Sequence, residues 1–348
     1  MNPPAMPSSP QWSSKSPESS AIGGDKLALF ALNATAELGG KVAMALGRPL
    51  AAHEERTFED GEHKTRPLES VGGKDVYVVQ SLHGGPNESA HDKLCRLLFF
   101  IGALKDAGAA AVTAVVPYLC YARKDRRTKP QDPVTMRYVA ELFDAMGTAA
   151  LVSLEVHNPV AFENAFRCRT VTLTGAPLFI AHLAPEPAER LVVASPDPGG
   201  VKRADLFREA LETARGQVIG KAFVDKRRSA GVVSGDTLVG AVEDATVVII
   251  DDLISTGNTL ARAARAARQA GARRVIALAS HGLFMTGAAE ALADPAIERV
   301  VVTDTVPAFR LPAGPVRDKL DILPTAPLLA EAIRRLHQGR LLSDLLVF

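Results

Sequence analysis

The sequence is poor in aromatic residues, at 5 % of 348, and holds a single tryptophan. Its cores must therefore be built from valine, isoleucine, leucine and alanine, and apolar residues reach 47 % of the chain. Cysteine is scarce too. Cys95, Cys120 and Cys168 stand far apart without metal-ligand spacing. They read as packing residues in a reducing compartment, so a cytoplasmic protein is expected. Neither charge dominates: 40 basic residues against 39 acidic ones leave a net +1, which argues against nucleic acid or a membrane surface as partner. No apolar run approaches the ~18 residues that span a bilayer, and no basic-then-apolar leader opens the chain. Two nucleotide signatures are missing, Gly-x-x-x-x-Gly-Lys-Ser/Thr and a Gly-x-Gly-x-x-Gly at a strand–helix junction. His53-Glu54-Glu55-Arg56-Thr57 lacks the second histidine of a zinc-protease helix.

What remains is an alternating chain behind a Pro/Ser-rich start. Residues 1–24 cannot bury enough to order themselves and are expected to be a disordered tail. Short β-branched runs follow at 27–32, 76–80, 111–116, 151–154, 191–194, 221–224, 247–250, 274–279 and 300–303. Longer Ala/Leu-rich segments at 36–46, 91–107, 134–146, 202–214, 259–270 and 326–337 read as helices. Apolar strands without alternation belong to parallel sheets covered on both faces. The expectation is an α/β protein of two tandem, doubly wound parallel-sheet domains. The first would span 25–171 and the second 172–338, with a short tail at 339–348. TAVVPYLCYARKDRR and RLVVASPDPGGVKRAD both read as apolar strand, loop and basic residues, which suggests a duplication.

The stretch richest in chemistry is VVIIDDLISTGNTL, 247–260. In open α/β sheets ligands bind at the carboxyl ends of strands, and this strand delivers Asp251 and Asp252 there. Ser255, Thr256, Gly257, Asn258 and Thr259 then lead into a helix, whose free N–H groups suit a phosphate monoester. The carboxylate pair would repel a second phosphate but accept hydrogen bonds from two vicinal hydroxyls. A sugar phosphate satisfies both; a solvated Asp-rich strand end is the plainer alternative. Ser195-Pro196-Asp197-Pro198-Gly199-Gly200 is a phosphate cradle or a tight turn. Phe58, Asp60 and Glu62 could hold a purine or form an acidic hairpin tip, and Arg123 and Lys124 could neutralise phosphates or sit in a solvated basic run.

Taken in order, these motifs resemble the phosphoribosyl diphosphate synthases. VVIIDDLISTGNTL is similar to their ribose-5-phosphate loop, and to that of type I phosphoribosyltransferases. RTFEDGEHKTRPLESVGGKDVYVVQS resembles their adenine-binding flag, and VTAVVPYLCYARKDRRTKPQDPVTMRYVAELFDAMG their ATP segment. VVASPDPGGVKRA resembles their diphosphate loop, and VDKRRSAG the start of their mobile catalytic loop. The resemblance runs from about Lys26 to about His337. It implies the fold of type I phosphoribosyltransferases, twice over, and transfer of the β,γ-diphosphate of ATP to the C1 hydroxyl of ribose 5-phosphate. It makes Lys226 and Arg228 the catalytic cations. It assigns ATP to Phe58, Asp60, Glu62, Arg123 and Lys124, and the sugar phosphate to Asp251, Asp252 and 255–259. Diphosphate goes to Asp197, Gly199 and Gly200, and Mg²⁺ to His157 and Asp197. It also implies a homo-oligomer, at least a dimer, because the flag's aromatic and acids serve a neighbouring subunit.

The chain departs from the family pattern in places. Lys124 stands where the family usually has Gln, Pro198 where it often has Ala, and Ser255 where many members have Asp. Glu155-Val156-His157-Asn158 replaces Asp-Leu-His, and 159–167 replaces a Gln-rich stretch. These changes indicate a divergent branch. They keep open a non-catalytic regulatory subunit of a synthase; a phosphoribosyltransferase would need neither FEDGE nor YARKDRR.

Overall fold

The computed structural model describes residues 26–185, 190–229 and 232–346, with the backbone alone for 226–229 and 232–236. The tail expected at 1–24 lies outside the described residues, among which no helix is long and apolar enough to cross a membrane.

The first half runs β1 (Leu27–Ala31), α1 (Ala36–Leu46), the hairpin β2 (His53–Thr57) and β3 (His63–Pro67), and β4 (Asp75–Val79). It continues through α2 (Ala90–Asp106), β5 (Ala111–Val115), α3 (Thr135–Ala145), β6 (Ala150–Leu154), α4 (Pro159–Ala165) and β7 (Arg169–Leu173). Five of its strands form a parallel sheet ordered β1-β4-β5-β6-β7. Both faces are buried, hence the continuous apolar runs. On one face Phe30, Val78, Ala114 and Leu151 pack with Leu97 and Ile101 of α2 and Phe143 of α3. Ser89 and Asp92 start α2 with a reciprocal capping box.

The second half runs α5 (Ala176–Leu183), β8 (Leu191–Ser195), α6 (Val201–Arg215), β9 (Gly220–Ser229), β10 (Val232–Val239), β11 (Thr246–Ile254) and α7 (Asn258–Gln269). After these come β12 (Arg274–Gly282), α8 (Ala288–Leu292), β13 (Arg299–Thr303), α9 (Pro315–Asp318), β14 (Leu320–Leu323) and α10 (Ala326–His337). The sheet is ordered β10-β9-β8-β11-β12-β13-β14, antiparallel at the β9–β10 pair and parallel elsewhere. The order reverses at β8 and β11, one strand's crossover running to each side. The crevice beyond their carboxyl ends is where this architecture binds ligands. In α7, Leu260, Ala263, Ala264 and Ala267 are buried while Arg265 and Arg268 are exposed, the alanines letting the helix lie close to the sheet.

Helix α10 does not stay with its own sheet. Leu328, Leu329, Ala332 and Ile333 pack with Val42 of α1 and with Leu29, Tyr77 and Val152 on the second face of the first sheet. His337 Nδ1 lies 2.8 Å from Asp75 Oδ2, and Leu346 makes a bridge to Leu173 beyond β7.

Polar contacts join the halves near the crevice. Ser81 Oγ donates to the Thr305 carbonyl at 2.6 Å, and Arg310 donates to the carbonyls of Gly84 and Leu283. The ring of His281 on β12 is buried between Thr305 Oγ1, 2.8 Å from Nδ1, and the Leu154 carbonyl, 2.9 Å from Nε2. Burial holds His281 neutral, down at about 4 against an ordinary 6.5. His83 is likewise brought to about 4, by burial and then by the Lys93 ammonium. Below pH 6.5 the unfolded chain binds protons that these rings refuse in the folded state. Their contribution is therefore complete above pH ~6.5 and lost as pH falls toward ~4, on the order of 3 kcal/mol for each ring. Chemical denaturation across that window should show His83→Gln losing less stability with acid than the native chain does. Equal slopes in native chain and variant would refute the neutral burial of His83.

Candidate functional site

Strand β11 runs on through both aspartates to Ile254 rather than ending at Ile250 as the apolar run suggested. Its pairing with β8 stops at Ile249 and Ala194, while that with β12 continues to Ile254. Asp251 and Asp252 thus leave the sheet's interior where one neighbouring strand has ended, and they open onto the crevice. Asp252 is 4 % exposed. Its Oδ2 accepts from His157 Nδ1 at 2.7 Å across the junction between the halves. Arg203, two residues into α6, places Nη1 3.3 Å from Asp251 Oδ1 and 3.6 Å from Asp252 Oδ1, and Nη2 3.4 Å from the His157 carbonyl.

This cluster sorts the charges. Burial and the adjoining Asp252 push Asp251 well above the carboxylate range. Burial also opposes ionisation of Asp252, but the His157 hydrogen bond and the Arg203 guanidinium outweigh it and hold that carboxyl below its ordinary value. The Asp252 hydrogen bond in turn raises His157. One of the adjacent acids is therefore firmly ionised while its neighbour takes up a proton readily.

His157 is aimed by its surroundings. Glu155, after β6, takes a left-handed φ of 43° and anchors its Oε1 on Thr174 Oγ1 and the Gly175 amide, both at 2.9 Å. Asn158 caps α4 through the Ala161 amide and donates to Asp125 Oδ2 at 2.6 Å. The Glu155–Asn158 sequence, unusual beside the resembled family, is thus a fastened turn. The same bond ties it to the loop carrying Arg123. Arg123 lines a recess with Tyr118, His157, Asp252 and His281; Lys124 is exposed beside it and is not part of that lining.

Two anion cradles flank the carboxylates. Gly257 has φ 75° and opens α7 with no side chain capping the helix. A Cβ at Gly257 would stand 2.9 Å from Leu292 Cγ, so only glycine lets the loop lie against α8. Ser255 to Thr259 therefore present an uncapped helix start one turn beyond the aspartates. The second cradle is filled from within: Asp197 Oδ1 accepts from the amides of Gly199 at 2.9 Å and Gly200 at 3.2 Å.

Of the remaining expected residues, Phe58, Asp60 and Glu62 are not brought into this cluster. Phe58, Asp60 and Glu62 lie at the tip of the β2–β3 hairpin, a sheet of its own, where Arg56 stacks 5.0 Å over the Phe58 ring. Among the described residues no hydrogen bond or ion pair links that tip to the aspartates. Lys226 and Arg228 fall on the β9 backbone, in register with Asp236 and Val233 of β10, and their side chains lie outside the described residues. Nor do the described residues include three or more His, Cys, Asp or Glu grouped to hold a cation. His157 Nδ1 is committed to Asp252, and Asp197 to two amides. That fits a Mg²⁺ ion that takes most of its ligands from phosphates and water and needs only one or two from protein. Arg203, Asp125 and Asn158 were missing from the residues singled out in the sequence. The one signal for Arg203 was its place three residues past Gly200 at a helix start.

The N-terminal domain of ribose phosphate pyrophosphokinase matches residues 27–147, and the phosphoribosyl synthetase-associated domain matches 232–347. Ribose-phosphate pyrophosphokinase of Caldanaerobacter subterraneus subsp. tengcongensis is 38 % identical over 92 % of this chain and 98 % of its own length. That of Wolinella succinogenes is 34 % identical over the same shares. The crystal structure of phosphoribosylpyrophosphate synthetase from Mycobacterium smegmatis superposes with a TM-score of 0.80 at 33 % identity, covering 90 % of this chain and all of that one.

Proposed function

Since the chain belongs to the ribose-phosphate pyrophosphokinase family, we propose that it transfers the β,γ-diphosphate of ATP to the C1 hydroxyl of ribose 5-phosphate, releasing AMP. The observation that carries this reading is the buried Asp251–Asp252 pair beside an uncapped helix start at the switch of strand order, with His157 and Arg123 delivered from the other half.

The carboxylates receive the ribose 2- and 3-hydroxyls, and the 255–259 loop receives the 5-phosphate. So held, the sugar presents its C1 hydroxyl to the β-phosphorus. The bond from O1 to that phosphorus forms as the bond to the α-phosphate oxygen breaks; the O1 proton passes to solvent, and the electron pair leaves with AMP. Reactions of this class need position and charge neutralisation more than covalent help. Arg123 and the neighbouring Lys124 neutralise the ATP phosphates, and the amides of Gly199 and Gly200 hold the transferred diphosphate. Lys226 and Arg228 offset charge in the transition state. Mg²⁺, where bound with the phosphates near His157 and Asp197, supplies further neutralisation. Phe58, Asp60 and Glu62 serve the adenine of a neighbouring copy, a reading supported by their separation from the site of their own chain. That makes the working form at least a homodimer. The cytoplasm is the proposed setting, in keeping with three free cysteines.

The test is product formation by the native chain with ATP and Mg²⁺. AMP and phosphoribosyl diphosphate should appear together, and only when ribose 5-phosphate is present. A folded chain that forms neither, yet changes the activity of a synthase mixed with it, would replace this reading with the regulatory one.

A further inference from the structure

Two groups of the site are already engaged by the chain itself. The amides of Gly199 and Gly200, assigned above to diphosphate, donate to Asp197 Oδ1 at 2.9 and 3.2 Å. The carboxylates assigned to the ribose hydroxyls face the Arg203 guanidinium, with Nη1 3.3 Å from Asp251 Oδ1 and 3.6 Å from Asp252 Oδ1. A carboxylate oxygen makes with two amides the bonds a phosphate oxygen would make. A guanidinium offers two carboxylates the donors a vicinal diol would offer.

Both stand-ins sit on one short segment. Asp197 leads into the turn Pro198–Gly200, and α6 begins at Val201, so Arg203 follows within the first helical turn. The segment is anchored at each end. Ser195 Oγ donates to the Asp197 carbonyl at 2.6 Å, and Ala204 and Phe207 are buried beyond Arg203. Gly200 is seated so tightly on the end of β8 that a Cβ there would lie 2.7 Å from Ser195 Oγ. Asp197 and Arg203 are thus held on one short stretch of backbone that shares these anchors.

We propose that Asp197 and Arg203 are internal stand-ins for the transferred diphosphate group and for the ribose hydroxyls, and that displacing either loosens the segment carrying both. Diphosphate and ribose 5-phosphate then bind with positive coupling, each finding the other's stand-in already withdrawn. The inference rests on the proposed function. By linkage the coupling must be reciprocal.

Calorimetric titration of the full chain tests it, with ribose 5-phosphate as titrant, with and without saturating inorganic diphosphate. Mg²⁺ is left out so that any metal-binding role of Asp197 plays no part. In the native chain diphosphate should tighten ribose 5-phosphate at least about fivefold, and the reverse titration should return the same factor. Arg203→Gln should bind the sugar phosphate with the coupling reduced to less than about twofold. Arg203→Lys, which keeps the charge but not the forked donors, should recover part of it. Should Arg203→Gln not fold, Asp197→Ala replaces it: diphosphate alone should bind tighter than to the native chain, and the coupling should again vanish. No binding of ribose 5-phosphate to a native chain that still releases AMP with ATP and Mg²⁺ would overturn this inference alone; absence of both would overturn the proposed function with it. Binding without coupling, or coupling undiminished in the variants, would overturn the inference alone.

Discussion

Replacing Lys226 by alanine is expected to cut the sugar-dependent release of AMP by about a hundredfold or more while leaving substrate binding nearly intact. Transfer of a diphosphoryl group moves negative charge between oxygens, and a cation that meets this charge only in the transition state lowers the barrier without tightening the ground state. Losing one such group costs about 3–4 kcal/mol, on the scale of a missing oxyanion donor. The position of Lys226 suits a group that arrives late. It lies on the antiparallel β9–β10 pair at the edge of the second sheet, where no further strand pairs with β10 among the described residues. Steady-state kinetics at saturating ATP and varied ribose 5-phosphate separate the two quantities. A loss confined to kcat supports the role. A loss below tenfold, or one carried by KM, would remove Lys226 from the chemistry.

The second large effect is expected at Asp252 and should differ in kind from that at Asp251. Asp252 is the buried centre of the cluster, bound by His157 and faced by Arg203. Asp252→Ala leaves both cations with only Asp251 for company. Removing one partner of a buried ionic cluster costs about 3–5 kcal/mol. The Arg203 and His157 side chains are 21 % and 42 % exposed, so water offsets some of that and the loss should fall near about 3 kcal/mol. Asp251 is the more exposed acid and already has raised proton affinity; Asp251→Asn should melt close to the native chain and lose sugar binding instead. Thermal unfolding of both variants, read with a ribose 5-phosphate titration, gives the comparison. Identical melting of the two would mean that Asp252 does not organise the cluster.

What could be read in advance follows what each residue buries. Strands covered on both faces announce themselves as runs such as VVII, and their positions in the sheets agree with the apolar pattern. The hairpin HEERT and HKTRP is made of polar and charged residues, even where it is covered, as at Glu55 and Thr65, so it carries no apolar alternation to detect. Strand β7 mixes Arg169 and Thr170 with three buried residues and looked like a linker for the same reason. In the site, DDLISTGNTL was legible because two acids followed by small residues are an odd way to end a strand. Arg203 was not, since a basic residue in the first turn of a helix ordinarily faces solvent. Its partners lie 48 and 49 positions away, and only the fold brings them within reach. Asp197 was read as a group for metal or phosphate. That its own carboxylate would occupy the neighbouring amides depends on a backbone turn whose composition allows other conformations.

The helix that closes the first sheet is made after the strands of both sheets. Until residues 326–346 leave the ribosome, Leu29, Tyr77, Val79 and Val152 lack the packing of Leu328, Leu329, Ala332 and Ile333 on that face. Vectorial synthesis therefore cannot complete the N-terminal half first and the C-terminal half second, as two beads on a string would. The early half must wait, partly bare, while the later sheet assembles, and it is sealed by a strap drawn back over the whole molecule. The two halves are successive in the gene but interdependent in folding, and a chain cut short before α10 leaves that face of the first sheet without its helix.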